Sequence, residues 1–188
     1  MHQLFDPFSQ SQNRSLMNRI LVAGVGSAHG DDALGWLVID GLLSRASSPW
    51  FASIQLTKLQ TPLDLLGVID RASETPDQAF EVCILIDACL GLARGGLQRW
   101  KWPDLPSEVS SATSTHRFGL VSSLELAESL EVLPEQTWVY GVQVDHLQTS
   151  VDCCIEGLLG HFPELLGLDT LGRSWIDQSM EIRGGSKT

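Results

Sequence analysis

Apolar residues fall into short dense runs separated by amphipathic stretches, and the alternation of the two predicts the architecture. Arg19 to Val25, RILVAGV, is rich in β-branched residues and closed by glycine, the pattern of a buried strand in a parallel sheet. From Asp32 to Leu43 the apolar positions Leu34, Trp36, Leu37, Ile39, Leu42 and Leu43 return at helical spacing, with Asp31 in place as N-cap. Ser53 to Lys58 reads as a second strand, and Pro62, in the first turn of the next segment, opens a helix to about Arg71. Glu81 to Asp87, EVCILID, has five apolar residues in a row and ends on an acid, as a central strand would. Leu97 to Trp102 predicts a short edge strand. The Pro-, Ser- and Thr-rich PDLPSEVSSATST after it reads as a long surface loop that delivers His116. Leu120 to Leu130 has a helical pattern, Thr137 to Val144 that of a strand, and Val151 to Leu166 that of a last helix interrupted at Pro163. Strands alternating with helices imply right-handed crossovers. The expected fold is therefore α/β: three layers, α/β/α, around a twisted, mostly parallel five-stranded sheet.

At 188 residues the chain suits one hydrophobic core, assigned to residues 19–171. Residues 1–18 are polar and expected to form a flexible extension, with Met17 as a conceivable alternative start; residues 172–188, ending in GGSKT, are expected to fray. Apolar residues at 43% and charged residues at 19% exclude the composition of a disordered chain. A net charge of −11 tells against nucleic acid or an anionic membrane as partner. The start of the chain lacks the basic and apolar regions of a signal peptide, and no run of about eighteen apolar residues occurs anywhere. A cytoplasmic monomer without a membrane span is expected. Cys83, Cys89, Cys153 and Cys154 lack Cys-x-x-Cys spacing, which favours reduced thiols.

Candidate chemistry begins at Gly24-Val25-Gly26-Ser27-Ala28-His29-Gly30-Asp31-Asp32-Ala33-Leu34-Gly35, where the first strand turns into a helix. The spacing is not that of a dinucleotide loop, and two acids stand where a pyrophosphate would need the positive helix end. A carboxylate at a helix start is held ionised and ready for a cation. With Asp31 as cap, Asp32 is the candidate ligand. Asp87 should emerge at the same carboxyl edge of a parallel sheet, where α/β proteins bind ligands, although alone it could simply cap a turn. His116, in STHRFGL, adds an imidazole. Two carboxylates and one imidazole from three edge loops make an incomplete coordination set suited to nickel or zinc. His29 as a fourth ligand, and Cys89 as nucleophile or ligand, are weaker candidates. Neither a Gly-x-Ser-x-Gly elbow nor a His-Glu-x-x-His helix is present.

Together, GVGSAHGDDALG, ILIDACLGLARGG and STHRFGL, in this order between about Arg19 and Leu166, resemble the three sequence blocks of the hydrogenase maturation proteases. The resemblance implies a twisted sheet flanked by helices and a metal held by Asp32, Asp87 and His116. It further implies an aspartic-type role in catalysis for Asp32 and Asp87, with Gly26, Gly30 and Thr61 against the substrate. The implied substrate is the precursor of a [NiFe]-hydrogenase large subunit, which loses its C-terminal extension after nickel insertion. The nickel ion is presented by that substrate; zinc or cadmium could substitute at the same site, and no other cofactor is implied. Ser27 stands where the family often has Asn, in a loop one residue shorter than the commoner form. Lys58-Leu59-Gln60-Thr61-Pro62 lacks the family's Asp-Gly segment, which leaves open which hydrogenase is served. A nickel-sensing chaperone that does not cut, and a general zinc metallopeptidase, are the competing expectations.

Overall fold

A computed structural model of the chain describes residues 18–46, 49–75, 78–88, 96–106, 117–144 and 146–168. These hold five strands, β1 (Ile20–Val25), β2 (Ile54–Leu59), β3 (Val82–Ala88), β4 (Leu97–Lys101) and β5 (Gln136–Val142). They also hold four helices, α1 (Leu34–Arg45), α2 (Asp64–Ser73), α3 (Arg117–Ser129) and α4 (Leu147–Leu165). The strands form one sheet in the order β2-β1-β3-β5-β4. Its pairs are parallel except β4 with β5, where the short edge strand runs antiparallel.

The burial of β1 and β3 explains their unbroken apolar runs. Ile20 to Ala23 with Val25, and Val82 to Ile86, expose none of their surface, because helices cover both faces of the sheet. One row, Ile20, Val22, Ile84 and Ile86 with Tyr140 and Val142, packs on α1 and α4. The alternate row, Leu21, Ala23, Val25, Cys83 and Leu85 with Val139, packs on α2 and α3. Each such aliphatic side chain contributes about 1.5–3 kcal/mol, and the α/β/α sandwich follows from the two rows.

Several element boundaries move. Pro62 precedes α2 by two residues instead of lying in its first turn, and the Asp64 carboxylate accepts the Thr61 amide at 2.8 Å. α3 starts at Arg117 and not Leu120, and α4 at Leu147 and not Val151, since one apolar residue in each added stretch, Phe118 or Leu147, sets no period. Pro163 does not interrupt α4; only two helical residues follow it, so the lost backbone bond falls in a last turn that frays anyway. Asn18, expected in the loose extension, donates its side-chain amide to the Leu165 carbonyl at 2.8 Å. The rest of that extension, the tail, and residues 107–115 of the surface loop lie outside the described residues. Among the described residues no helix is long and apolar enough to cross a membrane.

Candidate functional site

Four parallel strands share one carboxyl edge, and the chain leaves β1 and β3 in opposite lateral directions there. β1 is followed by β2 on one side, whereas β3 leads on to β5 on the other. Such a switch point opens a crevice between neighbouring strand ends, the usual ligand site of open α/β sheets. Asp32 follows β1 and Asp87 is the last residue but one of β3, so each of the two strands flanking the switch point has a carboxylate at or beyond its end.

A glycine pair sets how near Asp32 comes. A Cβ on Gly24 would overlap the Gly35 carbonyl oxygen; one on Gly35 would overlap the Val25 oxygen and sit 3.0 Å from the Ile86 oxygen. Without side chains, α1 begins directly on β1 and β3. Between them, Gly26 turns with φ of +143° and donates its amide to the Leu59 carbonyl at 3.1 Å. The Ser27 amide closes the turn on the Asp32 carbonyl at 3.2 Å. A Cβ on Gly26 would strike that same Asp32 oxygen and lie 3.6 Å from the Asp32 carboxyl carbon, so glycine is required.

Asp31 is not the N-cap of α1. A 3-10 turn, Gly30–Ala33, intervenes and lies against β3, with His29 at its start and Ala33 before α1; neither position has a side-chain cap bond. Both acids fall inside this tight turn, which the apolar spacing from Leu34 onward could not reveal. Asp31 is exposed, while Asp32 is half-buried beside Gly26.

Asp87 pairs in register with Gly141 and is 5% exposed. Strand alternation sets it in the row of Cys83 and Leu85, on the α2 and α3 face. The start of α3 reaches the same edge, since a Cβ on Gly119 would lie 3.8 Å from the Pro62 ring, just beyond β2. His116 precedes α3 by one residue in sequence and lies outside the described residues, as does Cys89. Among the described residues no group of three His, Cys, Asp or Glu side chains is close enough to hold a metal. The topology thus sets Asp32 in the turn that follows β1 and Asp87 near the end of the neighbouring β3. Of the expected substrate contacts, Gly26 is buried under Asp32, while Gly30, with φ of +56°, and Thr61 are exposed. His29 is exposed as well.

Two carboxylates at a crevice are oxygen donors for a divalent cation, and either can accept a proton from water. The buried cysteines offer no competing chemistry. Burial pushes the Cys83 and Cys154 thiols up to about 12, so they are inert core groups. One feature of the site had no signal in the apolar pattern, which counted Trp36 only as a helix-face residue: its indole N–H donates to the Leu59 carbonyl at 3.0 Å.

The fold is similar to that of an endopeptidase from Escherichia coli, with a TM-score of 0.63 and 22% identity, covering 78% of this chain and 93% of that one. The hydrogenase maturating endopeptidase HybD from E. coli gives 0.60 and 22% over the same shares, 78% and 93%. The [NiFe] hydrogenase maturation protease HybD from Thermococcus kodakarensis gives 0.55 and 18%, over 74% of this chain and 96% of that one. No protein-family model and no curated protein matches the chain. At these identities the likeness establishes a shared fold.

Proposed function

We propose that the chain is a hydrogenase maturation endopeptidase that removes the C-terminal extension from a [NiFe]-hydrogenase large-subunit precursor after nickel insertion. The observation that carries this reading is that Asp32 and Asp87 follow or end the two strands that flank the switch point of the sheet. The fold, shared with structures named for that activity, supports it. His116 completes the ligand set. These three side chains would hold nickel presented by the precursor, and zinc or cadmium could take its place. A precursor without nickel offers these ligands no cation, so it docks weakly and is spared.

Hydrolysis then needs a water aimed at the scissile carbonyl and a group to take its proton. Asp32, the less buried carboxylate, would accept that proton and return it to the departing amine, while Asp87, buried near the end of β3, would help to hold the cation. Exposed Gly30 and Thr61 flank the approaching peptide. The chain works in the cytoplasm as a monomer.

Incubating the protein with nickel-loaded and nickel-free precursor and measuring masses tests the reading. Loss of a C-terminal peptide only from the loaded form is expected. An unchanged mass would instead identify a nickel-sensing chaperone, and cleavage of unrelated peptides a general metallopeptidase. Asp32→Asn, Asp87→Asn and His116→Ala should each slow processing by roughly a hundredfold or more with the fold intact, whereas Cys89→Ala stays active. Full activity in all three site variants overturns the assignment.

A further inference from the structure

We infer that Trp36 is a positioning residue for Asp32, acting through the carbonyl oxygen of Leu59; the inference rests on the proposed role of Asp32. That oxygen accepts the Gly26 amide at 3.1 Å and the Trp36 indole N–H at 3.0 Å. A carbonyl has two lone pairs, so both bonds are held at once. Gly26 opens the turn that carries Asp32, and Trp36 follows Asp32 by four residues. Both flanks of the turn are thereby fastened to a single atom at the end of β2. Between them, the Ser27 amide holds the Asp32 carbonyl, and Gly26 touches the same residue too closely to admit a Cβ. The backbone of Asp32 is thereby tied to the edge through these bonds.

The indole is itself braced from outside. The Lys58 ammonium lies 5.6 Å from the ring centre and pairs with Asp40 at 2.7 Å, one helical turn beyond Trp36. This outer brace is partly exposed and adds little to stability. Leu59 is 2% exposed, and a hydrogen bond in such dry surroundings is firm and directional. Removal of the indole N–H should therefore loosen the turn without unfolding the domain. Misplacement of a reacting group by about 1 Å can cost a hundredfold in rate, so even partial loosening is measurable.

Trp36→Phe keeps most of the bulk and deletes the donor, and Lys58→Met removes the ammonium of the outer brace while keeping the length of its side chain. Cadmium is the probe, followed in the full chain by calorimetric titration and by its cadmium-113 resonance, alongside processing of the nickel-loaded precursor. The expected result for Trp36→Phe is an unchanged melting temperature, a displaced cadmium resonance, and affinity and processing each reduced about tenfold. Lys58→Met should stay within about twofold of the parent. Trp36→Phe indistinguishable from the parent in resonance, affinity and processing overturns the inference and leaves the proposed site standing. So does a matching loss of melting temperature in both variants, which would make Trp36 a packing residue. A parent chain that neither binds cadmium nor processes the precursor removes the reading of the edge, and the inference with it.

Discussion

Gly35 decides how α1 meets the sheet, and the consequence is measurable. A methyl group there would meet the Val25 oxygen, lie 2.8 Å from the Val25 nitrogen and approach the Ile86 oxygen, all backbone atoms of central strands that cannot yield singly. Gly35→Ala should cost about 3 kcal/mol or more, at the upper end of overpacking penalties. Gly30 has nothing within 4 Å of a would-be Cβ, and only its φ of +56° is at stake. Gly30→Ala should cost roughly 1 kcal/mol. Urea unfolding of both variants checks the contrast; equal losses would mean that α1 does not rest on the strands as described. The glycines of the first loop were visible in the sequence, but not the backbone each admits, because a missing side chain does not say what approaches it. For the same reason Asp31 read as a cap: apolar spacing marks where α1 turns inward and is blind to the 3-10 turn before it.

At the scale of elements, α4 crosses β5 through a polar pair in the core. The Tyr140 hydroxyl is hydrogen-bonded to His161 Nδ1, and His161 Nε2 lies 3.8 Å from the Glu164 carboxylate. Burial, with a smaller push from Arg99, lowers His161 from 6.5 to about 4, against a partial pull upward from Glu164; Trp138 packs edge-on at 5.0 Å. The unfolded chain therefore takes up this proton at higher pH than the folded one. The neutral histidine favours folding fully above pH 6.5, and that contribution is lost as pH falls towards 4, by up to about 3 kcal/mol. Denaturant titrations at pH 7 and pH 4.5 should show His161→Leu losing less stability than the parent across this window. Equal losses would place the acid sensitivity elsewhere. Sequence periodicity marked α4 and β5 as elements but could not pair Tyr140 with His161, 21 residues apart. Likewise Leu97 to Trp102 was legible as an edge strand, one residue longer than β4, while its antiparallel direction depends on pairing with the later β5. Arg99 and Lys101, both exposed, lend that edge the charge that discourages further strand addition.

Across the whole molecule, layering was readable from the alternation of elements, but lateral strand order was not, and the crevice depends on that order. Because β3 inserts between β1 and β5, the carboxylates of Asp32 and Asp87 stand at the ends of the two most buried strands. A cation bridging them ties these strands together, so its binding should stabilise the entire domain. At cadmium a hundredfold above its dissociation constant the gain is about 2.7 kcal/mol, and for a chain of this size each kcal/mol raises the melting temperature by roughly 2–4 °C. A net charge of −11 attracts any divalent ion diffusely, so magnesium at equal ionic strength is the necessary control. The proposed set of two carboxylates and an imidazole would favour nickel, zinc or cadmium over magnesium, which prefers oxygen and water. Thermal unfolding should accordingly rise with cadmium and scarcely move with magnesium, and Asp87→Asn should abolish the difference. Equal shifts with both ions would reveal diffuse attraction by the acidic surface, and would remove the edge carboxylates from any special part in holding metal.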